Sequence, residues 1–307
     1  MRVMVTGGSG QLGKFVCQRL QCSHEVEVLD LKSSDWTKKT VVADITSFDD
    51  LKSALEGQEA VVHLAGIPSY SPDHVAVMRS NVQGTYTLFE AAAAVGVRRV
   101  VFASSICAYG LLFWSKPWTP AFLPLDETHD CWPDDVYGLS KLVGDQICAA
   151  YTRRYDIDTY SLRLAPVLFP NSEKNRRIFR AIHEPGGMAA QSNVTDFGMR
   201  VTNASKLWSY VDSRDVAQAI ELALKSNVRG HRVYNIGAAN VCSEKPSIEL
   251  VREYYPDIAE LRHAHRLISD PFEPLYSIQL ARNELGYNPR HKWREMASEL
   301  DYDEKRI

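Results

Sequence analysis

Tyr137-Gly-Leu-Ser-Lys141 sets a phenol and an ammonium four residues apart, which on a helix means one face and neighbouring turns. A cation beside a phenol favours the phenolate, so the pair describes a proton acceptor usable near neutral pH. The same spacing arises on helices as a plain surface pair, and the surroundings must decide. Upstream runs Ala103-Ser-Ser-Ile-Cys-Ala-Tyr-Gly110, directly after the strand-like stretch Arg98-Arg-Val-Val-Phe-Ala103. A serine at the carboxyl end of a strand sits where open α/β sheets hold ligands. Its hydroxyl can share a hydrogen bond with a substrate oxygen and with Tyr137.

A second chemical signal opens the chain. Val3-Met-Val-Thr-Gly-Gly-Ser-Gly-Gln-Leu-Gly13 is an apolar run, three glycines at Gly-x-x-Gly-x-x-Gly spacing, and then a helical pattern at Leu12, Phe15, Val16 and Leu20. The run alternates too little for a half-exposed strand and reads as one buried on both faces. Glycines let backbone approach phosphates, and a helix N-terminus offers free N–H groups and partial positive charge. That is a dinucleotide pyrophosphate site, with a plain turn as the alternative. Asp30 ends the next strand, Glu25–Asp30, where an acid accepts hydrogen bonds from adenosine ribose hydroxyls. A carboxylate there repels a 2′-phosphate and favours NAD over NADP.

These residues need a scaffold. Strand patterns at Thr40–Ala43, Ala60–Ala65, Arg98–Ala103 and Thr159–Arg163 alternate with helical ones at 47–56, 73–95 and 134–154. The rhythm means βαβ units and a parallel doubly wound sheet. Ser47 fits an N-cap, and His63 at a strand end reads as a core histidine. Residues 166–206 lack periodicity; Tyr210-Val211, a helix over 213–226, a strand Val233–Ile236 and helices over 247–255 and 277–286 follow. The expected division is a dinucleotide-binding domain over 1–165, with 207–236 returning to it, and a smaller substrate-binding lobe formed mainly by 166–307.

Composition excludes some classes. A net charge of -3 over 307 residues gives no basic footprint for nucleic acid. No apolar run approaches a membrane span, and the chain enters a strand at once rather than a signal peptide. Cysteines 17, 22, 107, 131, 148 and 242 are scattered without metal-type pairing, so no metal is expected and free thiols in a cytoplasmic protein are the simplest account.

Thr6–Gly13, Asp30, Asp44-Ile45, His63-Leu-Ala-Gly66, Asn81-Val-Gln-Gly-Thr85, Ser104-Ser105, Tyr137-x-x-x-Lys141, Leu162-Arg163, Tyr210-Val211, Asp215-Val-Ala217, Asn235-Ile-Gly237 and Leu285–Pro289 together cover nearly the whole chain. On these motifs the chain resembles the extended short-chain dehydrogenase/reductases of the NAD-dependent epimerase/dehydratase family, and is similar to sugar 4-epimerases and uronate dehydrogenases. The resemblance implies an α/β fold, a Rossmann-type doubly wound parallel sheet with a smaller C-terminal lobe. It implies Ser105 as catalytic serine, Tyr137 as acid/base, and Lys141 as its electrostatic partner and ribose ligand. Gly7, Gly10, Gln11, Leu12 and Gly13 would hold the cofactor's phosphates, Asp44 and Ile45 its adenine, and Leu64, Ala65 and Gly66 its phosphoribose. Asn81 resembles the family's structural asparagine and is counted with the cofactor site. The implied reaction begins with proton removal from a secondary alcohol by Tyr137 and hydride passing to NAD. Homodimers through the helices 73–95 and 134–154 are also implied.

The substrate is less legible. Dehydratases of the family carry Asp-Glu after the serine; Ile106-Cys107 stands here, which removes their proton carriers. Cys107 occupies the place of an acid/base cysteine in 3,5-epimerising members, with a packing thiol as the alternative and Lys174 as a weak partner. The residues that grip a nucleotide-sugar diphosphate are replaced around Pro166 and Trp208 and have no clear counterpart near Arg266 and Asp270. Arg176, Arg177, Arg200, Arg262 or Arg266 could substitute. In the uronate dehydrogenase reading, Arg176 could hold a carboxylate; a solvated loop is the alternative. The aromatic stretch 111–132 could stack on a sugar or pack against a lobe or subunit. Sugar epimerisation is narrowly favoured over net dehydrogenation of a free sugar, sugar acid or hydroxy acid, with a non-catalytic NAD-binding protein behind both.

Overall fold

Strand β1 (Arg2–Thr6) is buried beyond its first residue, and the computed structural model shows why an alternating pattern is missing. Val3 and Val5 enter one core, Met4 the other. The structure describes residues 1–34, 36–37, 39–68, 71–111, 119–170, 172, 193–194, 200–201 and 204–304. Within it, β1 is followed by α1 (Gln11–Leu20), β2 (Glu25–Asp30), β3 (Thr40–Val42), α2 (Phe48–Leu55), β4 (Ala60–His63), α3 (His74–Met78), α4 (Gly84–Val95), β5 (Arg99–Ser105), β6 (Phe122–Leu123), α5 (Val136–Tyr155) and β7 (Asp158–Leu164).

The second half adds β8 (Val167–Leu168), β9 (Asn193–Val194), β10 (Arg200–Val201), β11 (Val211–Asp212), α6 (Ser213–Lys225), β12 (His231–Ile236), α7 (Ser247–Tyr254), β13 (Glu260–Leu261), α8 (Ala264–Ser269), α9 (Gln279–Leu285) and α10 (Trp293–Glu304). Seven strands form one parallel sheet in the order β12-β7-β5-β4-β1-β2-β3. The order reverses between β1 and β4, which opens a crevice at their carboxyl ends. This is the doubly wound sheet that the strand–helix alternation calls for.

Successive side chains of a strand face opposite ways. Val61, Val100 and Phe102 meet Leu51, Leu88, Phe89 and Tyr151 from α2, α4 and α5; Val62, Val101, Tyr160 and Leu162 meet Val16, Val216 and Ile220 from α1 and α6. Each fully buried Val or Leu contributes about 1.5–3 kcal/mol. The second face continues without a break into Tyr255, Leu275 and Tyr276, so material from the second half shares that core. Ser47 caps α2, its side chain accepting from Asp50 N–H.

Several features depart from the sequence reading, the short α8 (Ala264–Ser269) among them. The helix expected over 73–95 contains a π turn at Arg79–Gln83, an extra residue that periodicity does not reveal. The terminal α10 was not anticipated; its sequence is rich in acids and its apolar face is weak, but Trp293 at its start is fully buried with Leu168, Tyr210 and Met296. Among the described residues no helix is long and apolar enough to cross a membrane.

Candidate active site

The glycine turn leads directly from β1. Gly7 has φ +71°, and a Cβ on it would lie 2.6 Å from Ala65 N, so only glycine fits there. Gly10 caps α1 without a side-chain bond, and Lys14 N–H makes the first return to Gly10 O at 3.1 Å. The first-turn N–H groups of Gln11, Leu12 and Gly13 have no partner within the helix. A Cβ on Gly10 would meet only Gly7 O, at 3.1 Å, leaving the approach to those groups open. Asp30 is fixed beside them: Oδ2 accepts from Ser9 N–H at 3.0 Å and Oδ1 from Leu31 N–H at 2.7 Å.

A cleft of about 1030 Å³ runs along this edge, lined by Gly7, Gly10, Gln11, Leu12, Gly13, Asp30, Asp44, Ile45, Leu64, Ala65 and Gly66. An uncapped helix end, a fixed carboxylate and the apolar Ile45 and Leu64 match a dinucleotide: pyrophosphate on the helix, ribose on the acid, adenine against apolar side chains. Asn81 does not line the cleft. It lies buried in the π turn, where Oδ1 accepts from Ile67 N–H (2.7 Å) while Nδ2 donates to Ile67 O (3.0 Å) and Ser140 Oγ (3.1 Å). Its amide joins the cleft's rim to α5 and is spent on that tie.

The remaining site residues meet where α5 starts. Ser105 ends β5 buried, and its Oγ accepts from Cys107 N–H at 3.1 Å. Asp135 caps α5, accepting from Gly138 N–H at 2.8 Å. A Cβ on Gly138 would stand 2.5 Å from Cys107 O, so glycine permits the helix to touch the serine turn. Tyr137 is thereby brought to Ser105. Burial raises the Tyr137 pKa, Cys107 adds to the rise, and a hydrogen bond with Ser105 works against it. Lys141 Nζ lies 5.6 Å from the Tyr137 ring centroid and 5.1 Å from that of Phe102, and donates to Ala103 O at 2.8 Å. Burial lowers its pKa to about 8. In the protein without a cofactor, burial outweighs the Ser105 contribution and the phenol stays above its ordinary range. Cys107 also touches this cluster, but burial pushes its thiol up to about 12, so it stays protonated near neutrality.

His63 is a core residue. Nδ1 lies 2.7 Å from Thr6 Oγ1 and Nε2 3.0 Å from Thr85 Oγ1, whose own proton goes to Asn81 O at 2.6 Å. Thr85 can then only accept, so the ring is the neutral Nε2–H form with Thr6 donating to Nδ1.

Lys174, Arg176 and Arg177 lie outside the described residues, as do 112–118 of the aromatic stretch. Arg200 begins the short β10, paired antiparallel with β9. Phe122 packs beneath the Arg262 guanidinium, 3.3 Å from the ring centroid, and Trp132 is exposed. Trp208 is buried against Tyr254 at 5.1 Å. The cleft also contains residues that the sequence reading missed: Trp36 and Phe169 line it, and Phe169 packs 6.1 Å from Phe15 of α1. Trp36 could have been sought from its place just beyond Asp30; Phe169 carries no local signal.

The model of the NAD dependent epimerase/dehydratase family matches residues 3–237. A UDP-glucose 4-epimerase of Corynebacterium glutamicum is 28% identical over 95% of this chain and 92% of its own. A uronate dehydrogenase of Pseudomonas syringae pv. tomato is 30% identical over 57% of this chain and 62% of its own. A short-chain dehydrogenase/reductase superfamily protein from Agrobacterium tumefaciens, solved with bound NAD, is 26% identical with a TM-score of 0.75, covering 100% of this chain and 98% of that one. The family match takes in the glycine turn, the serine turn and the Tyr–Lys helix alike, and the chain belongs to the NAD dependent epimerase/dehydratase family, the extended short-chain dehydrogenase/reductases.

Proposed function

We propose that this protein removes hydride from a secondary alcohol of a sugar or sugar derivative, with Ser105, Tyr137 and Lys141 at the reacting carbon and epimerisation as the outcome. The observation that carries this reading is the meeting of Ser105 and Tyr137 at the carboxyl end of β5, joined through Ser140, Asn81 and Ile67 to the rim of the cleft. Ser105 holds the alcohol oxygen while Tyr137 takes its proton. NAD held in the cleft would supply a hydride acceptor and a positive charge favouring the phenolate. Lys141, protonated below about pH 8, keeps a second charge by the phenol ring. Once the carbonyl has turned over, the hydride would come back to its other face while Tyr137 returns the proton to the oxygen. Asp30 would hold the adenosine ribose and favour NAD over NADP, with Gly7, Gly10, Gln11, Leu12 and Gly13 at the phosphates.

The full-length likeness to the Corynebacterium epimerase supports epimerisation. One observation favours net dehydrogenation of a sugar or sugar acid instead: Trp208 is buried in the core where many members present an arginine, and a diphosphate needs such cations. The cofactor's fate separates the two. Denaturing the purified protein should release NAD, and incubation with candidate sugars should build up no NADH. Stoichiometric NADH would make the protein a dehydrogenase. We further propose a homodimer through α3, α4 and α5.

A further inference from the structure

The cleft has one wall that the glycine turn and Asp30 do not account for. Trp36, in the loop after β2, lines it beside Asp30 and Lys32. The half-buried indole is pinned: Nε1–H donates to Gly8 O at 3.2 Å, and the Lys14 ammonium stands 5.9 Å from the ring centroid. Gly8 precedes Ser9, whose N–H holds the Asp30 carboxylate at 3.0 Å and whose Oγ donates to Lys32 O at 2.8 Å. The loop that fixes the acid thus also fixes the indole.

An acid at the end of β2 takes the adenosine ribose hydroxyls, and its neighbours decide whether a phosphate on that ribose is admitted. Lys14 and Lys32 would attract one. Asp30 opposes it by charge. The indole opposes it by volume and keeps Lys14 over its own face. We propose that Trp36 is a second cofactor-specificity residue that, with Asp30, keeps a 2′-phosphorylated adenine dinucleotide out. The inference rests on the cleft being the NAD site. Its consequence is that removing the carboxylate alone leaves the larger obstacle in place.

Calorimetric titration of NAD and NADP into wild type, Asp30→Ala, Trp36→Ala and the double variant tests this, with thermal melts to show that each is folded. NADP affinity should rise about threefold in Asp30→Ala and about thirtyfold or more in the double variant. The double variant's gain should fall away with added salt, because exposed lysines carry it. NAD should also quench tryptophan fluorescence in wild type and lose most of that quench in Trp36→Phe, which keeps a ring but not the indole. NADP binding Asp30→Ala as tightly as the double variant, or an undiminished quench in Trp36→Phe, would overturn the role of Trp36. Wild type that binds no NAD would overturn the cleft assignment itself, a different result from an unchanged NADP preference.

Discussion

Tyr137 rests with its proton on, because burial of the phenol outweighs the Ser105 hydrogen bond. It acts as a base only when further positive charge arrives, which ties its chemistry to a loaded cleft. Tyr137→Phe keeps the ring and removes the hydroxyl; turnover should drop by about a thousandfold or more, while calorimetry finds NAD binding within about threefold of wild type. Retained turnover would place the base elsewhere. Lys141 carries a cost of its own. Its pKa falls from 10.5 to about 8 through burial. Below about pH 8 both folded and unfolded chains hold the proton, and the penalty is fully present; between about 8 and 10.5 the folded chain sheds it first and stability recovers. Lys141→Met should therefore be inactive yet more resistant to urea at pH 7, by up to roughly 3 kcal/mol, with the gap closing by pH 10. An equal gap at both pH values would mean that Lys141 is not strained by burial.

Elements reach the site by close approach, and those approaches differ in how openly the sequence announces them. Gly7, Gly10, Asp30 and the Tyr137–Lys141 pair were legible because each depends on a handful of neighbouring residues: a turn, a strand end, one face of a helix. The π turn at Arg79–Gln83 was not, since Asn81 owes its position to Ile67 and Ser140, both remote in sequence. Trp36 and Phe169 reach the cleft from loops whose course no periodicity encodes. His63 belongs to the same tertiary layer, joining β4 to Thr6 of β1 and Thr85 of α4. Burial, helped by the Lys141 charge, lowers its pKa from 6.5 to about 3. Between these values the unfolded chain holds the extra proton, so stability falls as pH falls, by about 1.4 kcal/mol per pH unit. His63→Gln should be less stable at pH 7, and urea midpoints should show its deficit against wild type shrinking from pH 6.5 to 4.5. A constant deficit would mean that His63 is protonated in the fold.

At the scale of the molecule, the sheet has both faces covered, one by α1 and α6 and the other by α2, α4 and α5. This is why its strands read as apolar runs and why the fold class was visible in sequence. The second half shares the first core through Tyr234, Tyr276 and Tyr287, and its short strands gave almost no pattern to read. What the covered sheet leaves over is the outer surface of α3, α4 and α5. Val75, Tyr86 and Leu139 are 80%, 51% and 42% exposed, on elements whose other faces are buried. The 20 residues of α5 extend about 30 Å, long enough with α4 to offer the roughly 800 Å² per partner that a stable interface needs. Leu139 lies two residues from Tyr137, so a partner seated here would brace the start of the helix that presents the base. Light scattering should give a dimeric mass for wild type. Leu139→Glu combined with Tyr86→Glu should give a monomer that keeps its melting transition and loses turnover more than NAD affinity. A monomeric wild type, or a double variant that stays dimeric, would assign that surface to solvent and leave the N-cap Asp135 and Gly138 to hold Tyr137 unaided.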